Sequence, residues 1–429
     1  MTASAIKLSM TPEEAAACGM VIALHAEVAP DRPAILSPLG DRTYAALNAR
    51  SNQLVRALRS AGLKEGDAVA LLCANRPEFV ETCVALSRCG MRLTPINWHL
   101  TAEEIGYIVE NCEAKSFIAD ARFAEKAEEV SAVSPHLVQK LAVAGEIAGF
   151  ASYDDALDVE PAHNIEDPTA GTQMLYTSGT TGHPKGVYRK AAPPVSPLLV
   201  KLRETAAFDP TKDVALSTGP LYHAAPLALN LNFPLVSGVG VVLMDRWDAE
   251  ETLKLVAKHN VTHTHVVPTM LHRILSLPDD VRNQYDVSSL RWVLHGAAPC
   301  PVHVKEDTIK WLGNVVYEYY AATEGGGIFV ESEEWLAKRG TVGRALEGVT
   351  VEVQDDAGVE IPAGEIGTIY FKAPETGRFE YFKAPEKTDG AYRGNYYTMG
   401  DMGYVDEDGY LFLTGRSAEV IISGGVNIY

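Results

Sequence analysis

Between residues 176 and 187 the chain reads YTSGTTGHPKGV, which packs the hydroxyls of Thr177, Ser178, Thr180 and Thr181 around Gly179 and Gly182 and then adds Lys185 and Gly186. Such a stretch suits a polyphosphate. Glycines let successive backbone N–H groups converge on an anion, hydroxyls add neutral donors, and a lysine supplies a movable point charge. Any four of these residues alone would pass for an ordinary polar surface loop, but twelve in this order do not. The pattern is not G-x-x-x-x-G-K-[ST], because Lys185 comes three residues after Gly182 rather than directly after it.

Three later segments carry groups that would complete such a site. His295-Gly296-Ala297-Ala298-Pro299 puts small residues at the end of a strand pattern, leaving room for a flat ring to lie against backbone. A plain tight turn is the other reading. Tyr319-Tyr320-Ala321-Ala322-Thr323-Glu324 brings a carboxylate, and a hard cation usually takes one or two carboxylates plus substrate phosphates. Glu324 by itself reads equally well as a surface acid. Gly325, Gly326 and Gly327 follow and leave space near a reacting group, enough for a bulky or branched substrate. Tyr397-Thr398-Met399-Gly400-Asp401 supplies a carboxylate able to accept two hydroxyls, and Gly415-Arg416 follows fourteen residues later.

In this order and spacing the segments resemble the AMP-forming acyl-CoA synthetases, the family that also holds firefly luciferase and the adenylation domains of peptide synthetases. The resemblance covers nearly the whole chain. Judged from VPTMLHRIL and YYAATEG together, the chain is most similar to fatty-acid and steroid-acid CoA ligases. The resemblance implies ATP, Mg²⁺ and CoA as cofactors. It assigns Thr177, Ser178, Gly179, Thr180, Thr181, Gly182 and Lys185 to the β- and γ-phosphates, and Gly296, Ala297 and Ala298 to the adenine. Tyr320 is implied to stack on adenine, with Tyr319 and Ala322 in the same nucleotide-binding segment. Thr323 would bond the α-phosphate, Glu324 hold Mg²⁺ with Thr180 as a second contact, Asp401 anchor the ribose, and Arg416 reach the ribose or phosphate side. His223, in Pro220-Leu221-Tyr222-His223, stands either between acyl and CoA channels, as the resemblance implies, or as a core histidine. The chain departs from the family's pattern at Ala321, where glycine is usual, at Met399, where threonine is commoner, and at Ala418, a hinge position usually aspartate or lysine.

These residues need elements to hold them. Leu47, Leu54, Val55 and Leu58 follow a helical spacing ending near Gly62, 68–73 (AVALLC) reads as a buried strand, and Thr101 with Glu104 forms a capping box. Strands are expected at 214–218, 239–244, 261–267 and 291–295, with Asp248 and Glu251 capping a helix that runs to about Asn260. Alternating β and α units imply a mainly parallel, layered sheet. From Gly340 the pattern changes to short β runs with turn residues, which predicts a small antiparallel, barrel-like subdomain. The fold class is α/β: two layered, mainly parallel α/β subdomains (1–170 and 171–340), a small β-barrel-like subdomain (341–415), and a hinge with the start of a C-terminal domain (416–429). Together these match the large N-terminal domain of an adenylate-forming enzyme. In relatives about a hundred further residues follow, with a lysine for adenylation. The chain therefore reads as truncated and impaired in that step, or as a natural short form.

The 429 residues carry 37 Lys and Arg against 56 Asp and Glu, a formal charge of −19, so nucleic acid is not an expected partner. No apolar run of about 18 residues and no signal peptide is present, and the expected place is cytoplasmic, without stable membrane insertion. Six cysteines without a C-x-x-C pair read as reduced core residues. His263 and His265 face one side of a strand but lack a nearby third ligand in sequence. The expected function is an acid–CoA ligase acting on a hydrophobic carboxylic acid in fatty-acid or lipid metabolism, through acyl-AMP and pyrophosphate. An adenylating enzyme that loads a carrier-protein thiol and a non-catalytic nucleotide- or acyl-binding module are the alternatives, and a homodimer is left open.

Overall fold

The structure, a computed structural model, describes residues 10–177, 183–416, 421–423 and 426–428. Ser178, Gly179, Thr180, Thr181 and Gly182, expected at the phosphates, and Ala418, at the hinge position, lie outside the described residues. The chain divides into two compact units: Met1–Tyr176 with Asp209–Lys212 and Pro220–Arg246, and Thr177–Phe208 with Asp213–Gly219 and Trp247–Tyr429.

The first unit holds a six-stranded sheet in the order Ala151–Ser152, Gln139–Val143, Ala114–Asp120, Ala68–Leu72, Arg92–Pro95, Thr172–Gln173. Every pairing in it is parallel. Ala68–Leu72 is buried along its whole length, as a central parallel strand covered on both faces requires. The helix Tyr44–Ser60 starts where the Thr43 side chain accepts from the Ala46 N–H, and it buries Leu47, Leu54, Val55 and Leu58 on one face. The capping box at Thr101 and Glu104 is formed and opens Ala102–Asn111. In the same unit, Pro33–Leu36 pairs parallel with Gly240–Leu243 and antiparallel with Arg42–Thr43.

In the second unit one sheet changes character part-way across. Val214–Ser217, His263–Val266, Trp292–His295 and Val316–Ala321 are parallel neighbours. Antiparallel strands then follow in the order Gly326–Val330, Gly343–Ala345, Tyr410–Arg416, Tyr396–Val405, Gly367–Lys372, Val351–Gln354. The α/β class is borne out. The short strands expected beyond residue 340 are present, but they extend this sheet and, among the described residues, close no barrel. The change of direction falls at the turn between Val316–Ala321 and Gly326–Val330, which carries Thr323 and Glu324. Asp248 caps Ala249–His259 by accepting from the Glu251 N–H, and Asn260 ends it at φ +49°. Among the described residues no helix is long and apolar enough to cross a membrane, and all six cysteines are free thiols.

Candidate active site

The turn at Thr323 is shaped by glycines that have no room for anything larger. The strand register slips between Tyr320 and Ala321, and the turn closes through Ala322 N–H to Gly325 O (2.7 Å) and Gly325 N–H to Ala322 O (3.2 Å). Gly325 lies at φ +152°, and a Cβ there would come within 2.1 Å of the Tyr397 hydroxyl; one on Gly326 would meet Ala321 Cα at 2.5 Å. The expected space for a bulky acid beside these glycines is thus already taken by Tyr397, Ala321 and, next to Gly327, Val349. Ala321, where the family usually has glycine, is not among the described residues with positive φ, so alanine fits without strain.

Arg189 and Tyr381 hold this turn, and the Tyr397 hydroxyl accepts from the Gly326 N–H. The Arg189 guanidinium donates through Nη2 to the carbonyl oxygens of Thr323 (3.1 Å) and Glu324 (2.7 Å). The Tyr381 hydroxyl donates to Glu324 Oε1 at 2.9 Å, and Lys185 Nζ lies 4.8 Å from the centre of the Tyr381 ring. Burial, and then the neighbouring Lys387, lower the proton affinity of the Lys185 amine, and Glu324 opposes them.

Asp401 is buried and accepts from both sides. Tyr320 donates its hydroxyl to Oδ2 at 2.7 Å and Arg416 donates Nε to Oδ1 at 2.6 Å, Arg416 standing opposite Asp401 in the ladder. Burial pushes the Tyr320 phenol well up, and the Asp401 charge adds to that, so it stays a donor. Each carboxylate oxygen keeps a further lone pair for a ligand hydroxyl. Tyr319, one residue earlier on the strand, turns the other way: its hydroxyl meets His265 Nε2 at 3.1 Å. Its ring lies under Gly296, where a Cβ would touch Tyr319 Cε1 at 2.5 Å. The expected ring-binding segment therefore rests directly on Tyr319, and Ala297 adopts φ +63° to make the bend. His263 bonds Ala206 O at 2.8 Å and Thr262 Oγ1 at 2.7 Å through its ring nitrogens. Among the described residues no group of three His, Cys, Asp or Glu side chains is placed to hold a metal.

Beneath this segment lies a buried charge pair that no motif announced. Lys305 Nζ is 2.5 Å from Glu318 Oε2, and His295 Nε2 is 3.7 Å from the same oxygen, with neither His295 ring nitrogen hydrogen-bonded. Burial lowers the ammonium and raises the carboxyl, each opposed by its partner's charge. In the first unit, Leu221 N–H bonds Asn75 Oδ1 at 2.9 Å. The His223 ring sits 4.4 Å from Tyr222, which meets Trp98 edge-on at 4.5 Å. Burial, helped by His99, pulls His223 down to about 4, so it is neutral near pH 7.

Burial is also the main cause that holds His263 at about 4, His265 at about 3 and His295 well below the ordinary value. Because these folded-state values are depressed, the unfolded chain takes up protons first. The stabilisation is complete above about pH 6.5 and is lost as pH falls toward 4, each histidine costing at most about 1.4 kcal/mol per pH unit. Glu81 and Glu318, raised by burial, oppose this. The urea midpoint is expected to fall from about pH 6.5 to 5, and a flat profile would mean that these rings are hydrated in solution.

A family profile described as AMP-binding enzyme matches residues 22–379. The chain belongs to the AMP-binding enzyme family. This AMP-binding enzyme is 31% identical over 431 residues to the long-chain-fatty-acid–CoA ligase FadD13 of Mycobacterium tuberculosis, a match covering 96% of this chain and 81% of that protein. It is 30% identical over 421 residues to the fatty acid–[acyl-carrier-protein] ligase ScoC of Streptomyces coeruleorubidus, covering 94% and 78%. Its structure is similar to the inhibitor-bound N-terminal domain of FACL13 from Mycobacterium tuberculosis, with a TM-score of 0.78 at 28% identity over 93% of this chain and 99% of that one. The resemblance read from the motifs thus holds at family level, and a ligase of the AMP-forming kind is supported. Arg189, Tyr381, His265, Lys305 and Glu318 were not singled out as site residues by sequence. For Arg189 a signal existed, since K-G-V-Y-R places Lys185, Val187 and Arg189 on one face of a strand.

Proposed function

We propose that this AMP-binding enzyme is an acid–CoA ligase, which activates a hydrophobic carboxylic acid with ATP to acyl-AMP and pyrophosphate and then forms the acyl-CoA thioester. The observation that carries this reading is the pairing, within one compact unit, of Asp401 held by Tyr320 and Arg416 with Glu324 held by Tyr381. Asp401 accepts the ribose hydroxyls, Tyr320 and the Gly296–Ala297–Ala298 segment flank the adenine, and Thr323 meets the α-phosphate. Tyr319 supports the adenine wall from behind, and Ala322 closes the turn. Arg416 neutralises the nucleotide side. Lys185 gives the phosphate loop its cation, together with Thr177, Ser178, Gly179, Thr180, Thr181 and Gly182.

The donor set suits magnesium. At the Thr323 turn the site offers Glu324 and, among the described residues, no three-ligand protein cage, which fits an ion bound by one carboxylate and substrate phosphates, with Thr180 as a further contact. When bound, the ion offsets charge on the departing pyrophosphate. The chain's own contribution is alignment: a carboxylate and an α-phosphate are both anionic, so fixed donors must hold them in line. His223, neutral near pH 7, separates the acyl and thiol routes without adding charge. The fatty-acid ligases named among the relatives favour a hydrophobic acid and a place in lipid metabolism. A cytoplasmic setting, where ATP and CoA are supplied and thiols stay reduced, suits this chemistry.

A carrier-protein thiol is the second reading, favoured by the likeness to ScoC. Acid-dependent pyrophosphate–ATP exchange across a panel of fatty, steroid side-chain and aryl acids is the test, followed by competition between CoA and a phosphopantetheinylated carrier. Exchange with one acid class and faster transfer to CoA is expected. Faster transfer to the carrier would establish the second reading, and tight nucleotide binding with no exchange, once the C-terminal domain of a relative is supplied, would leave a binding module.

A further inference from the structure

The strand Lys185–Arg189 reaches the Glu324 turn from both of its ends. It pairs antiparallel with Phe379–Tyr381, Val187 opposite Tyr381 and Arg189 opposite Phe379, and Val187 is buried in the core shared with Tyr320, Phe371 and Tyr397. At the near end Lys185 lies over the Tyr381 ring, whose hydroxyl holds the Glu324 carboxylate. At the far end Arg189 holds the carbonyls of Thr323 and Glu324 through one nitrogen. The Ala322 and Gly325 backbone pair also closes the turn, and the Tyr397 hydroxyl accepts from the Gly326 N–H.

A guanidinium suits this task because it stays charged when half-buried and aims its N–H bonds in a fixed plane. Burial is the largest influence on Arg189 and acts against its charge, while Tyr397, Glu324 and Tyr392 act for it. Removing it would leave two partly buried carbonyls without their charged donor and free the turn to rotate.

We propose that Arg189 is a positioning residue that fixes the backbone of Thr323 and Glu324, and so the aim of their side chains at the triphosphate, from the same strand that carries Lys185. This rests on the assignment of Thr323 and Glu324 to ATP made above. The test is calorimetric affinity of the chain for Mg·ATP and for adenosine, in wild type, Arg189→Ala, Arg189→Lys and Glu324→Gln. Arg189→Ala is expected to weaken Mg·ATP about tenfold or more while adenosine, which needs only Tyr320, Asp401 and the Gly296 segment, stays within about twofold. Millimolar methylguanidinium should restore part of the loss, and Arg189→Lys should fall between. Wild-type Mg·ATP affinity in Arg189→Ala, with affinity lost in Glu324→Gln, overturns the proposal and leaves the Glu324 assignment standing. Normal affinity in both removes the assignment itself. If Arg189→Ala fails to fold, Arg189→Lys decides: a wild-type ratio of the two affinities there refutes a positioning role.

Discussion

Glu324→Gln is expected to slow acyl-adenylate formation by on the order of 10²-fold or more, with Mg²⁺ needed at higher concentration. The substitution keeps shape and leaves an oxygen for the Tyr381 hydroxyl, now 2.9 Å from Oε1, so the turn should survive. What it removes is the negative charge. Among the described residues no group of three His, Cys, Asp or Glu side chains is placed to hold the cation in its stead. The loss should fall on the adenylation step, read as acid-dependent exchange, and should leave the affinity for adenosine, proposed to bind at Asp401, intact. Normal rate and normal magnesium dependence in Glu324→Gln would remove Glu324 from the reaction.

The second large effect concerns stability. Lys305 and Glu318 are both buried and 2.5 Å apart, with the unbonded His295 ring 3.7 Å from the shared oxygen. Removing one partner strands a charge, so Lys305→Met or Glu318→Leu alone should each cost about 3–5 kcal/mol. Replacing both with apolar residues of similar volume should recover most of that loss, because the desolvation of two ions disappears with the ions. Urea denaturation of the two single variants and of Lys305→Met with Glu318→Leu measures this directly. Additive losses in the double variant would show that the pair is not energetically coupled. Glu318 lies two residues before Tyr320 and His295 one before Gly296, so a single variant that folds should also bind adenosine less well.

Much of the fold was legible because its signals are local. A continuous apolar run marked 68–73 as a buried strand, 291–295 read as a strand, alternating β and α units implied parallel pairing, and Thr101 with Glu104 and Asp248 with Glu251 marked helix starts by side chains three residues apart. The turn-rich stretch past Gly340 was recognised as antiparallel, yet whether such strands close on themselves or extend an existing sheet depends on pairing between distant segments, which periodicity does not encode. The same limit applied to the site. Asp401 and Arg416 stood out by motif, but the bond from Tyr320 to Asp401 joins residues 81 apart in sequence. The grip of Arg189 on Glu324 spans 135. Gly325 and Gly326 read as open space because a glycine run says only that side chains are absent, not what fills the place.

The pairing of Ile35 with Val241 has a consequence for synthesis. Pro33–Leu36 leaves the ribosome roughly 200 residues before its parallel partner Gly240–Leu243, a wait of about 10–40 s at 5–20 residues per second. Through that interval the nascent chain carries a short apolar strand with one edge unsatisfied. Pro33 at its first position and the early antiparallel cover of Arg42–Thr43 limit what that edge can recruit. Slowed elongation between residues 100 and 240 should therefore raise the demand for chaperone protection of this protein more than slowing after Val241 does.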